Sequence, residues 1–329
     1  MKIINWLLES DSFVQYATRL NILKENKYDL LELRNELLTD ERIMEYLKDV
    51  SAFNSILVTN HKNPNLPIHK LIFLLDIGLD TDVLEIKLAI DQILENIDGL
   101  GMYRSMTNVS KHFGGSGENT LGWALCDAPL MLHALLRAGI SYEEHIQKGV
   151  EYIVGLYREN GFPCVVSKEL GKFRGPGRKD ECCPFATLIM LNLLKEIPQY
   201  RDSDLTKSII DNLLDLWQNS YDKHPYMFYA GKDFRKLKAP TNWYNILSVS
   251  GCLSHFEYAK KDKRFQKMID VIEEKANSEM QFIPESIYLK CKAFDFGQKK
   301  VPSAWLTYKC LLLLIRVGRY QVEELANLK

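Results

Sequence analysis

Thiols, carboxylates and cations recur in this sequence directly ahead of prolines. Cys126 and Asp127 precede Pro129; Arg174, Arg178, Lys179, Asp180, Cys182 and Cys183 precede Pro184; Arg235, Lys236 and Lys238 precede Pro240; Gln298, Lys299 and Lys300 precede Pro302. Each proline reads as a first helical residue, where its missing N–H costs nothing and its fixed φ suits the turn. Cations at the positive end of a helix are disfavoured by about 0.3–1 kcal/mol each at exposed sites. An anion shared between them and the free backbone N–H groups reverses that balance. The pattern therefore predicts a site for phosphate, diphosphate or carboxylate. Asp127, Asp180 and Glu285 of the segment "IPES" are the candidate proton carriers. Facing cations would lower their pKa and suit a general base, although an aspartate beside a helix start is also a common cap.

Trp243, Tyr244 and Trp305 follow Pro240 and Pro302 within about one turn. They could wall such a site or serve as ordinary core aromatics. Cys126, Cys182, Cys183 and Asp127, joined by a histidine, are of the types zinc takes. Their spacing matches no zinc pattern, and adjacent cysteines cannot easily point at one ion, so no metal is expected and no cofactor is specified. No Cys–His dyad is visible locally; His69, His133 and His255 are the histidines that could approach a cysteine in space. The segment "HFGGSGENTLGW", residues 112–123, reads as a plain loop or a lid and lacks the lysine of a phosphate loop.

The elements that must position these residues show themselves as a repeat. "NLPIHKLIFLLDIG", "CDAPLMLHALLRAG", "ECCPFATLIMLNLL", "LKAPTNWYNILSVSG" and "KKVPSAWLTYKCLLLL" open alike, with Pro67, Pro129, Pro184, Pro240 and Pro302 roughly 55 to 62 residues apart. These helices are apolar on most of their circumference, whereas the partners that follow are one-sided, as in "KRFQKMIDVIEEKA". Gly78 and Gly139 suit C-terminal caps, and Asp80 and Ser141 suit N-caps of the partner helices. Residues 1–60 lack the proline but read as further helices, notably "DLLELRNELL" and "DERIMEYLKDV". The expected fold is all-α: one domain over 1–329, with about six hairpins closed into an α/α toroid that residues 1–60 complete or cap, apolar helices inside and amphipathic ones outside.

In that architecture the chain resembles the α/α-toroid superfamily of terpenoid cyclases and protein prenyltransferases. The segments "CDAP", "FRGPGRKDECCP", "DFRKLKAP", "PES" and "DFGQKKVPSAWLT" are similar to a little-characterised prokaryotic family within it. The superfamily's carbocation triggers are missing, since the chain has no Asp-Asp pair and "DTDV" at 80–83 is only a fragment. Its QxxxxxW motif is missing too, and no zinc triplet of the prenyltransferases can be laid onto these residues. The resemblance implies the toroid fold and brings no chemistry of its own; with the pre-proline cations and the aromatics, the expected function is an enzyme, a transferase or lyase, or an enzyme-like binder, holding an anionic small molecule in a central cavity. The alternatives are a glycan-acting lyase or glycosidase and a non-catalytic repeat scaffold for a protein partner.

Composition narrows the setting. The 329 residues are 46% hydrophobic and 26% charged, with 42 Lys and Arg against 43 Asp and Glu, so no basic excess argues for nucleic acid. The longest apolar run, "CLLLLI" at 310–315, falls far short of the ~18 residues of a membrane span. Seven cysteines without a CxxC pair, and no signal-like start, predict a reduced, cytoplasmic protein.

Overall fold

The structure is a computed structural model that describes residues 2–171, 181–222 and 234–327. It is predominantly helical. In chain order the longer elements are α1 (Lys2–Leu8), α2 (Ser12–Asn21), α3 (Leu31–Thr39), α4 (Glu41–Ser51), α5 (Pro67–Ile77), α6 (Leu84–Leu94), β1 (Ser105–Asn108), β2 (Asn119–Gly122), α7 (Ala128–Arg137), α8 (Gln147–Val154) and α9 (Pro184–Leu194). They continue with α10 (Asp204–Gln218), α11 (Ile246–Leu253), α12 (Lys263–Glu273), α13 (Ala304–Arg316) and α14 (Val322–Asn327). Among the described residues no helix is long and apolar enough to cross a membrane.

The proline rule holds for three of the five expected starts. Pro67 and Pro184 are the first residues of α5 and α9, and Pro129 is the second of α7. It fails at Pro240, which follows a cis peptide bond and lies ahead of a helix that starts only at Ile246. A capping box explains the later start: Ser248 N–H donates to the Asn245 side chain at 3.0 Å, and Asn245 N–H donates to Ser248 Oγ at 2.9 Å. It fails again at Pro302, where Ser303 is the N-cap of α13 and accepts from Leu306 N–H at 3.1 Å. Asp80 does not cap α6, whose N-cap is Val83, while Ser141 does accept from the Glu144 N–H. The expected loop at 112–123 contains a strand, β2, which pairs antiparallel with β1.

The two helix types differ as the sequence predicted. Helix α9 buries Pro184 to Leu191 without a break, whereas α12 buries one stripe, Phe265, Met268, Ile269 and Ile272. The chain divides into two compact units. Residues 1–46, 73–79 and 232–329 form the first, and 47–72 and 80–231 the second. In the second unit α7 packs on α9, and α9 on α10. In the first, α11 packs on α12 and α13, and α13 also meets α1 and α2.

The core of the first unit is aromatic. Phe73 lies 4.9 Å from Trp305 and 5.6 Å from Phe294, which stacks on Phe296, and Arg42 covers Phe13 at 5.2 Å.

One hydrogen-bond pattern recurs in both units. In the second, Cys183 N–H donates to the Phe162 carbonyl at 2.7 Å, and Phe162 N–H to Thr187 Oγ1 at 3.0 Å. In the first, Ser303 N–H donates to the Phe282 carbonyl at 3.0 Å, and Phe282 N–H to Thr307 Oγ1 at 2.9 Å. Cys183 and Ser303 are thus the same N-cap in two copies of one repeat. Gly161 has φ +115°, and a Cβ there would stand 2.6 Å from Thr187 Oγ1, so the turn into this lock requires glycine.

Trp305→Ala should cost about 3–5 kcal/mol by opening a cavity in the aromatic core, read by urea unfolding. Leu84→Ala, at a side chain 64% exposed, should stay within about 0.5 kcal/mol. A Trp305→Ala loss no larger than that of Leu84→Ala would refute this account of the core.

Candidate functional site

The second unit gathers its chemistry where three segments meet ahead of α5, α7 and α9. Strand β1 buries alternate residues, Ser105 and Thr107, and a bridge from Val58 to Thr107 brings the chain approaching α5 alongside. The stretch 162–167 links the other two segments. Leu125 N–H donates to the Val165 carbonyl, Ser167 N–H to the Trp123 carbonyl, and Pro163 bridges to Cys182.

Asp127 is the centre of this junction and is 2% exposed. It occupies the N-cap position of α7, yet its side chain makes no cap hydrogen bond. Its Oδ1 instead accepts from Ala124 N–H at 3.0 Å, and its Oδ2 from Ser105 Oγ–H at 2.8 Å. His61 Nε2 stands 3.3 Å from the same Oδ2. With Nε2 donating there, Nδ1 is left as the ring's basic nitrogen. His69 fixes His61 from behind, its Nε2 lying 2.8 Å from the His61 carbonyl. Next along α5, the buried Lys70 pairs with Asp49.

The adjacent cysteines diverge. The Cys182 thiol points to Asn160 Oδ1 at 2.7 Å and the Gly161 carbonyl at 3.0 Å, and burial pushes it up to about 11. Cys183 faces the other way. Its Sγ accepts from Ala186 N–H at 3.5 Å at the start of α9. Interaction with the Cys126 thiol holds the Cys183 thiol below the ordinary range against the opposing effect of burial, and the helix N–H groups and the His61 charge assist. Cys126 is raised well above it by the Cys183 thiol and by burial. Ser303 at the equivalent N-cap is an ordinary hydroxyl cap. A sulfur at 3.5 Å is a poorer acceptor, so capping alone does not account for a cysteine here.

His61 and Ser105 were not among the sequence candidates. His61 carries the same signal as the others, standing shortly before a helix-initiating proline, Pro67. Ser105 carries none, because nothing local ties a strand hydroxyl to Asp127. Of the histidines expected near a cysteine, His69 acts through His61, while His133 lies 3.3 Å from Glu196. Among the described residues, no group of three or more His, Cys, Asp or Glu is arranged to hold a metal ion.

The candidates of the first unit are engaged differently. Lys238 lies 3.5 Å from the centre of the Tyr288 ring. Glu285 accepts from Leu237 N–H at 2.7 Å and pairs with Lys275 at 2.8 Å. Arg235, Lys236 and Lys238 thus precede an irregular segment, not a helix start. Gln298 braces its own loop, accepting from Lys300 N–H and Val301 N–H, while Lys299 and Lys300 are exposed. The start of α13 is met by Asp295, whose Oδ2 accepts from Trp305 N–H at 3.1 Å. Trp305 and Tyr244 are buried, and Trp243 is half-buried. Arg174, Arg178, Lys179 and Asp180 lie outside the described residues.

No protein-family model matches the chain, and no curated protein matches it.

Burial holds His69 down to about 4 from 6.5, and His133 likewise. The unfolded chain therefore binds protons first, so this stability is full above pH 6.5 and is lost as pH falls toward 4. The urea midpoint should drop between pH 6.5 and 5. His69→Gln, which can still donate to the His61 carbonyl, should blunt the drop. An identical drop in both proteins would show that His69 does not titrate as described.

Proposed function

We propose that the chain is a thiol-dependent group-transfer enzyme in which Cys183 is the nucleophile, His61 the base and Asp127 the group that orients His61. The observation that carries this reading is the Cys183 sulfur at the α9 N-terminus, in the unit where Asp127 holds the His61 ring; the lowering of the Cys183 thiol, to which the His61 charge contributes, supports it. A thiolate so stabilised attacks the carbonyl carbon of an activated acyl donor. The leaving group departs with a proton from His61, and the thioester passes to water or a second acceptor whose proton His61 removes.

Cys183 is 3% exposed, which favours a small-molecule donor over a folded protein surface. We propose that this small molecule carries an anionic group, the class first indicated by the pre-proline cations. The α/α toroid is likewise our proposal for the arrangement of the helix pairs, supported by the contact of successive apolar helices within each unit, α7 on α9 and α11 on α13.

The test uses acetyl phosphate and p-nitrophenyl acetate as acyl donors, with intact-mass and peptide analysis. An acetyl adduct should form on Cys183 and be lost in Cys183→Ser, which retains a capping oxygen. His61→Ala should slow its formation by about 10²–10⁴-fold. Alkylation by iodoacetamide at pH 6 supplies a substrate-independent reading: Cys183 should react about tenfold faster than Cys164. Equal alkylation rates, or an acetyl adduct that survives in Cys183→Ser, would sink the assignment.

A further inference from the structure

We infer that Cys126 and Cys164 form a reversible cross-strand disulfide pair, closed by exchange with a small disulfide and acting as a redox-sensitive clamp beside Asp127. Hydrogen bonds between two segments of the second unit set the register. Ser167 N–H donates to the Trp123 carbonyl at 2.8 Å and Leu125 N–H to the Val165 carbonyl at 3.0 Å, with Ala124 bridged antiparallel to Val166 between them. Ala124 and Val166 are therefore a non-hydrogen-bonded pair, the closer of the two antiparallel spacings, with Cα atoms about 4.5 Å apart. Two residues on, the same register sets Cys126 opposite Cys164 at the next position of that kind. Such a spacing lies within the roughly 4.4–6.8 Å that a disulfide spans. Asp127 N–H closes a turn onto the Ala124 carbonyl at 3.1 Å, so Cys126 stands at its corner, next to the bonded Leu125. Access singles out the same two thiols. Cys126 and Cys164 are half-exposed, whereas Cys182, Cys183, Cys252, Cys291 and Cys310 are buried. Cys183 is the competitor for Cys126, but it is 3% exposed and its backbone pairs with Phe162. Cys182 is engaged by Asn160 and Gly161.

The chemistry balances with a small disulfide as oxidant. The Cys126 thiol is raised well above its ordinary range, with the charge of Cys164 among the causes, so Cys164 is the first to attack. Its thiolate forms a bond to one sulfur of the small disulfide, the S–S bond of that molecule breaks, and the released thiolate takes up the proton that Cys164 gave. The Cys126 sulfur then attacks Cys164, losing its own proton, and the second small thiolate leaves and is protonated. Two protein thiols lose two electrons, and one small disulfide becomes two thiols. An added dithiol reverses the change by the same exchange. Closure ties the turn that carries Asp127 to the segment 162–167 and shuts a long loop of chain, which restrains the unfolded state. The pair uses neither Cys183 nor His61 and stands apart from acyl transfer.

The experiment incubates the full chain with excess oxidised glutathione, blocks remaining thiols with N-ethylmaleimide and maps unreduced peptides. The expected result is a Cys126–Cys164 linked peptide, loss of two of the seven thiols and their return with dithiothreitol. The oxidised chain should unfold at a higher urea concentration than the reduced one. In Cys126→Ser the reaction should stop at a glutathione adduct on Cys164. Cys183→Ser should close the same link as the wild-type chain. A Cys126–Cys183 link, glutathione adducts without closure, or retention of all seven thiols in the wild-type chain would overturn the pair. A urea midpoint that does not rise on closure would overturn the clamp. Mapping reads no acyl chemistry. A chain that forms this bond but takes no acetyl group would refute the group-transfer reading alone, and the reverse outcome would refute the disulfide pair alone.

Discussion

The first N–H groups of a buried helix must find acceptors inside the protein, because no water reaches them and each one left unmet costs about 1–3 kcal/mol. The apolar helices of this chain each meet that demand differently. Helix α11 uses the reciprocal Asn245 and Ser248 cap. Helix α13 uses Ser303 together with the Asp295 carboxylate drawn back from its own loop. Helix α9 uses the sulfur of Cys183. At α7 the residue best suited to the task, Asp127, turns away from the helix and is spent on Ala124, Ser105 and His61.

That turn ties the elements of the site together. A carboxylate 2% exposed must be surrounded by donors, and its three come from β1, from the chain ahead of α5 and from the turn into α7. Low dielectric strengthens each of these bonds and makes the loss of any one costly. His61 is thereby held from both sides, by Asp127 at its ring and by His69 at its carbonyl. The result is an imidazole with little freedom, in the same unit as a sulfur at a helix N-terminus; nucleophilic chemistry needs groups so preorganised.

The repeat sharpens the contrast between the units. Phe162 and Phe282 lock equivalent helices through Thr187 and Thr307, so the frame around Cys183 and Ser303 is the same. Only the capping residue and its surroundings differ. In the first unit, Glu285, Asp295 and the Tyr288 ring answer the backbone donors and the Lys238 charge from within the chain. In the second, the cap is a thiol, held below its ordinary range by the Cys126 thiol and in part by the His61 charge.

Sequence alone determined the helical class, the alternation of all-round and one-sided helices and the starts of α5, α7 and α9, since hydrophobic period and proline geometry are local properties. It also marked Asp127, Cys126 and Cys183 as standing ahead of those helices. It misplaced the starts near Pro240 and Pro302, where the side chains of Asn245 and Ser303 compete with proline for the N-terminus. It could not separate Cys182 from Cys183, because their divergence depends on what lies on each face of one turn, Asn160 on one and Cys126 on the other. Nor could it join His61 and Ser105 to Asp127. Those contacts span 66 and 22 residues of chain, and only the packing of three segments around one buried carboxylate decides them.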